Sequence, residues 1–188
     1  VVINNRKGVV TVVIDEQPGQ ARLDKIPQLR PAFKKDGPIT AANASSISDG
    51  ASAIVLASGK AVVETGWQPM AQILGVHSFA REPGEFTIAP IGAIQGLLDK
   101  MNWTVEDVDL FEVNEAFAMV TMLAIQELNL DARKVNVYGG ACAQGHPIGS
   151  TGSRIILTLI TALKNKGLKR GIASLCIGGG EATAMAVE

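Results

Sequence analysis

Apolar positions along the chain fall into short runs and helical stripes that take turns. Val9-Val10-Thr11-Val12-Val13-Ile14 is a β-branched run and predicts a strand. Pro18-Gly19, Pro27, Pro31 and Gly37-Pro38 then punctuate an irregular, partly charged stretch with little to bury its apolar residues against, the texture of the tail of a lid or insertion. From about Ser48 the pattern is regular. Ala53-Ile54-Val55-Leu56-Ala57 predicts a short buried strand, a small helix follows and ends near Gly66, and residues 70–76 predict another strand. Ile91, Ile94, Leu97, Leu98 and Met101 keep helical spacing behind Pro90, a residue suited to a helix start. Residues 110–113 predict a strand, 115–129 a helix with Asn114 as its N-cap, and 135–138 a further strand. A helix over 153–166 meets stop signals at Lys164, Lys166 and Gly167, and the chain ends in two strands, 171–176 and 182–187. Strands and helices that alternate up to the final pair predict an α/β fold with a mostly parallel sheet covered on both faces.

The chain has 188 residues, 47% apolar and 19% charged, enough for one domain plus a fragment. Its 17 basic and 18 acidic side chains leave a net charge of −1, which argues against nucleic acid or an anionic membrane as partner. No run approaches the roughly 18 apolar residues of a membrane-spanning helix. The opening Val1-Val2-Ile3-Asn4-Asn5-Arg6 has neither an initiator Met nor the regions of a signal peptide, and does not look like a natural beginning. The two cysteines, Cys142 and Cys176, are too few for a disulfide framework and fit a reducing compartment. A soluble, cytoplasmic globular protein is expected.

In α/β sheets, ligands gather where strands hand over to helices. Three segments end a strand in a chemically loaded loop: Asn114-Glu115-Ala116-Phe117, the glycine-rich stretch from Gly139 through His146 to Gly149, and Cys176-Ile177-Gly178-Gly179-Gly180. Parallel neighbouring strands would open all three loops on one edge and bring Asn114, His146 and Cys176 together. His146 is framed by Gly145 and Pro147, which let backbone approach a ligand and fix the ring's position. His77 has no such frame and reads as structural or surface. Cys176 is either a small buried hydrophobe or, beside the free N–H groups of three glycines, part of a Cys–His pair next to an oxyanion hole. Cys142 reads as packing. Asn114 can cap its helix and also hold a water or an oxyanion with its amide, and Glu115 could be a base, though a first-turn Glu is ordinary compensation of the helix dipole. The cysteines and histidines lack zinc-ligand spacing, so no metal site is expected. Neither a P-loop, a dinucleotide fingerprint nor a G-x-S-x-G elbow is present.

Taken together, Asn114-Glu115-Ala116-Phe117, Gly139-Gly140-Ala141 with Gly145-His146-Pro147-Ile148-Gly149, and Cys176-Ile177-Gly178-Gly179-Gly180 resemble the thiolase family in order and separation. Thr40-Ala41-Ala42-Asn43-Ala44-Ser45 through Asp49-Gly50 resembles the family's entry into its C-terminal domain. Thiolases cleave 3-ketoacyl-CoA with CoA, or condense two acyl-CoA molecules. The resemblance implies that His146 activates a nucleophilic cysteine and contributes to an oxyanion hole, and that Cys176 moves a proton at the α-carbon. It implies that Asn114 holds a water sharing the thioester oxyanion, and that the Gly178 N–H serves a second oxyanion hole. Phe33, Ala41, Ser45, Ala116 and Phe117 fall where the family lines its CoA and pantetheine pocket, and Phe86 where members handling short acyl groups border theirs. Coenzyme A is then a substrate, and no resident cofactor is implied.

The implied fold is the family's layered one: residues 1–47 as the end of its loop domain and 48–188 as its C-terminal domain. The latter is the second βαβαβαββ unit, with a mostly parallel five-stranded sheet under helices. The family's covalent cysteine lies in an N-terminal half, and neither Cys142 nor Cys176 matches its motif. The chain is therefore expected to be inactive alone and to need that half, or a full-length protomer, in a homo-oligomer such as a dimer or tetramer. The alternative is a non-catalytic, thiolase-derived CoA-binding or assembly module. A ketoacyl synthase acting on a carrier protein is a further relative, disfavoured by Cys176.

Overall fold

A computed structural model describes residues 1–188. The β-branched start folds into a hairpin of β1 (Val2–Asn5) and β2 (Gly8–Thr11), paired antiparallel with Val2 opposite Thr11. This hairpin, the short helix α1 (Glu16–Gln20) and every other residue up to 30 are exposed, so the stretch adds nothing to the core. Residues 51–57 correct the sequence reading. They run without joining a sheet, their backbone makes no hydrogen bond, and Val55 and Leu56 are 82% and 74% exposed. The composition is that of a buried strand, but no strand lies beside it. Helix α2 (Gly59–Thr65) follows, capped by the Ser58 hydroxyl and closed by left-handed Gly66.

The remainder packs around one sheet. Its elements are β3 (Ile73–Ala80), α3 (Ala89–Met101), β4 (Leu110–Val113), α4 (Ala118–Glu127), α5 (Ala141–Gln144), α6 (Thr151–Lys166), β5 (Gly171–Cys176) and β6 (Glu181–Val187). The strand order is β3-β6-β5-β4. β4 and β5 form the one parallel pair, and β6 runs antiparallel to both β5 and β3, so β3, β5 and β4 point the same way and β6 alone is reversed. The sheet is thus four-stranded and mixed, where five mostly parallel strands were expected. Two local causes account for this. The glycine turn after Cys176 folds β6 back as a hairpin partner of β5, which inserts it between β5 and β3. At the other edge, Val135 makes a single parallel bridge with Phe111, and Asn136 then turns to φ 47° and ends the strand predicted over 135–138.

The sheet is covered on both faces, as expected. Phe111 and Val113 of β4, Ile172 of β5 and Ala182, Ala184 and Ala186 of β6 pack under Ile94 and Leu97 of α3 and Val120 of α4. On the opposite face Leu110, Ala173 and Val187 meet Ile155, Leu159 and Leu163 of α6. Strands buried on both sides read as near-continuous apolar runs, broken here only by Glu112 and Ser174, which is why 110–113 and 171–176 were legible. The small side chains of β6 and the glycines of α3 bring helix and sheet close: a Cβ at Gly96 would strike the His77 ring, which accordingly is a packing histidine.

Candidate active site

Parallel pairing of β4 with β5 sets Val113 opposite Ser174, and the Asn114 N–H donates to the Ser174 carbonyl at 2.9 Å. Asn114 and Cys176 therefore leave the sheet at the same edge, on adjoining strands. The loop carrying His146 is bonded to that edge in two ways. The Glu115 carboxylate accepts the Cys142 N–H at 3.1 Å, and a Cβ at Gly140 would collide with that same carboxylate. The second tie is the segment 43–47, which runs between the two loops: Ala44 bridges Phe117, the Ser45 N–H and hydroxyl donate to the Ala116 carbonyl, and the His146 N–H donates to the Ser46 carbonyl at 2.9 Å. Gly145 sits at φ 85°, and a Cβ there would strike the Ser48 hydroxyl, so only glycine lets this segment lie so close. The three predicted loops meet at one edge.

The same segment overturns one local expectation. Helix α4 begins at Ala118, not at 115, and Asn114 does not cap it. Residues 114–117 stay out of the helix because Asn114 is bonded to Ser174 of β5 and the partners of 116–118 lie in 43–45, with the Ala118 N–H donating to the Asn43 carbonyl. The Asn114 side chain is consequently left over. It is 2% exposed, and neither its oxygen nor its nitrogen has a hydrogen-bond partner. A buried amide without partners costs about 1–3 kcal/mol.

Around it the titratable groups are tuned by burial. His146 is half-buried; burial, and then the nearby Arg154 charge, hold its pKa below the usual histidine value, so the neutral imidazole is favoured. Its Nδ1 lies 2.7 Å from the Thr151 hydroxyl. Burial pushes the Cys176 thiol up, keeping it protonated. Burial, and then the neighbouring Glu115, push Cys142 up to about 11. After Cys176 the turn closes through Gly180 N–H to the Ile177 carbonyl, and the N–H groups of Gly178 and Gly179 remain unbonded.

Five of the six expected pocket residues also lie together. The Phe33 and Phe117 rings meet edge to face at 5.7 Å, and Phe86 packs tilted on Phe117 at 6.4 Å. Ala116 and Ser45 are joined through the Ser45 bonds, and Ala41 sits exposed in the turn leading to them. Two residues escaped sequence reasoning. Thr151 had a visible signal, a hydroxyl four residues after Pro147 in the first turn of a helix. Asn136 had none, since its role follows from its left-handed backbone. Its amide oxygen accepts the Val113 N–H at 2.8 Å, and its nitrogen donates to the Val113 carbonyl at 2.9 Å and to Glu115.

No helix is long and apolar enough to cross a membrane. Residues 67–188 match the family model of the thiolase C-terminal domain, and residues 1–60 that of the thiolase N-terminal domain. The acetyl-CoA acetyltransferase of Yarrowia lipolytica is 47% identical over 186 residues, 99% of this chain and 46% of its own length. The crystal structure of the Bacillus anthracis acetyl-CoA acetyltransferase superposes with a TM-score of 0.93 at 45% identity, covering 100% of this chain and 48% of that one. A thiolase of Ascaris suum in complex with coenzyme A does so with a TM-score of 0.90 at 45% identity, over 100% of this chain and 48% of its own. The chain spans about half the length of these relatives. With a C-terminal-domain match covering most of it, and its three loops gathered at one sheet edge, this chain belongs to the thiolase family.

Proposed function

We propose that this chain supplies the C-terminal part of a thiolase that cleaves or forms short 3-ketoacyl-CoA thioesters of the acetoacetyl-CoA type. The observation that carries the reading is the edge where Asn114, with its unpartnered buried amide, and Cys176, with its protonated thiol, leave adjoining strands beside the bonded His146 loop. Neutral His146 takes the proton of a nucleophilic cysteine. The thiolate attacks the 3-keto carbon, and the bond between the α- and β-carbons breaks. Cys176 delivers its proton to the departing α-carbon, or removes one there in the condensing direction. Asn114 binds a water that shares the thioester oxyanion with His146, and the Gly178 N–H serves the second oxyanion. Phe33, Ala41, Ser45, Ala116 and Phe117 line the path of coenzyme A, which is a substrate and not a resident cofactor. Phe86, packed on Phe117, shortens the acyl end.

The nucleophile itself belongs to an N-terminal half, because Cys142 is bonded to the Glu115 loop with its thiol pushed up, and Cys176 has the proton-transfer role. In this reading residues 1–47 end a loop domain, 48–188 form the C-terminal domain, and the unpaired run at 51–57 pairs with strands of the other half. A full-length protomer in a dimer or tetramer meets the same need. Two free thiols suit a cytoplasmic setting.

The test is to combine the chain with the N-terminal half of a relative and assay acetoacetyl-CoA cleavage. Activity is expected in the mixture only, and His146→Ala is expected to abolish it. An alanine variant as active as the parent would end the role given to His146.

A further inference from the structure

We propose that Thr151 is the positioning residue of His146: its hydroxyl accepts the Nδ1 proton, fixes the tautomer and leaves Nε2 as the nitrogen free to take a proton. Thr151 is fully buried at the first position of α6, and its Oγ1 lies 2.7 Å from Nδ1 of His146. The same hydroxyl donates to the Pro147 carbonyl at 3.0 Å, the i−4 bond a helical threonine makes with its own turn. A hydroxyl has one hydrogen; with that hydrogen on Pro147, a lone pair faces Nδ1, and the imidazole nitrogen must be the donor.

The Pro147 carbonyl also receives the Ser150 and Thr151 N–H groups at 2.7 and 2.8 Å. The start of α6, the Thr151 hydroxyl and the His146 ring are thereby one knot. The main chain of His146 is pinned independently, by its N–H on Ser46, and Nε2 makes no hydrogen bond. The inference rests on the reading of His146 as the base, and it gives that reading a mechanism. One nitrogen, Nε2, accepts the thiol proton and then presents it as an N–H to the developing oxyanion, with no turn of the ring.

The chain holds two histidines, His77 and His146, so long-range 15N–1H spectra of the labelled chain resolve each ring. At neutral pH the His146 ring is expected with Nδ1 protonated and Nε2 bare. In Thr151→Val the ring is expected to become a mixture of tautomers, and Thr151→Ser to restore the parent spectrum. A parent ring protonated on Nε2, or a Thr151→Val ring with an unchanged tautomer, would overturn the proposal; the parent spectrum decides even if the valine variant does not fold. In the complemented enzyme Thr151→Val is expected to lower kcat by about tenfold or more with little change in KM, and serine to recover it. The spectra need no activity. A fully active His146→Ala enzyme would remove the base reading, while the tautomer stands or falls separately.

Discussion

Asn136 grips both backbone groups of Val113, its amide oxygen on the N–H at 2.8 Å and its amide nitrogen on the carbonyl at 2.9 Å. One side chain thus does for the last residue of β4 what a neighbouring strand would do, at the edge where the sheet stops. The nitrogen also reaches Glu115, whose other oxygen holds the Cys142 N–H. The end of β4, the Asn114 loop and the His146 loop are therefore tied by one amide and one carboxylate.

The left-handed backbone at Asn136, φ 47°, makes its substitutions separable. Asn136→Ala loses the bonds to Val113 and Glu115, about 1–3 kcal/mol, and keeps a Cβ in the left-handed region without the polar side chain that lets asparagine tolerate it, a strain of about 1–2 kcal/mol. Asn136→Gly loses the same bonds but carries no Cβ to strain the left-handed backbone. Thermal unfolding is expected to rank the parent above glycine and glycine above alanine. Equal melting temperatures for glycine and alanine would mean the backbone relaxes out of the left-handed region.

Glu112 is buried in β4 at 3% exposure, and its Oε1 has no partner. Burial raises its pKa from the ordinary 4.5 to about 7, with the Arg154 charge pulling it back and the Glu115 charge adding to the rise. A folded-state pKa above the unfolded one stabilises the fold fully below about pH 4.5. That contribution is lost as pH rises through about 7, because the folded chain must then bury a carboxylate. Glu112→Gln is expected to escape that loss. Denaturant titrations should find it more stable than the parent above pH 7, by at most about 3 kcal/mol. The two should converge at acid pH. A parent advantage at pH 8 would mean that the carboxylate and Arg154 form a net favourable pair.

Residues 51–57 make no backbone hydrogen bond and are tethered through Ser52, whose hydroxyl lies 2.6 Å from those of both Ser150 and Ser153. Their amides are expected to exchange with deuterium in the chain alone nearly as fast as in a free peptide, while those of β5, bonded on both sides, exchange slowly. Addition of an N-terminal half is expected to protect 51–57. Fast exchange persisting in an active complex would show that the run is not a strand of the assembled enzyme.

The parts of the fold legible in the sequence are those whose causes are local. Helices α3 and α6 announce themselves by spacing and by end signals, and β4 and β5 by largely apolar runs. The order of the strands is not local: β6 enters the middle of the sheet because a glycine turn folds it back and its alanines fit beneath α3. Asn114 was legible as a chemical residue, yet its expected capping bond depends on partners for 116–118, and these come from 43–45, some seventy residues earlier. The run at 51–57 has the composition of a strand, but no strand lies beside it. His146 and Cys176 were found through their glycine frames, whereas Asn136 is visible only once its backbone conformation is known.

The two thiols offer a check on the electrostatics of the site. A thiolate is the species that alkylates, and burial holds both thiols above their ordinary value of 9.0, Cys142 at about 11 with Glu115 contributing. A rise from 9.0 to about 11 lowers the thiolate fraction of Cys142 near neutral pH by about a hundredfold. Iodoacetamide is therefore expected to modify Cys142 about a hundredfold more slowly than a free peptide thiol at pH 7, and Cys176 more slowly than the free thiol as well; peptide-resolved mass spectrometry reads each rate. Glu115→Gln removes the negative charge beside Cys142 and is expected to speed its modification while leaving Cys176 unchanged. If the glutamine variant alkylates Cys142 at the parent rate, burial alone sets that thiol, and the carboxylate acts only as the clamp between the two loops.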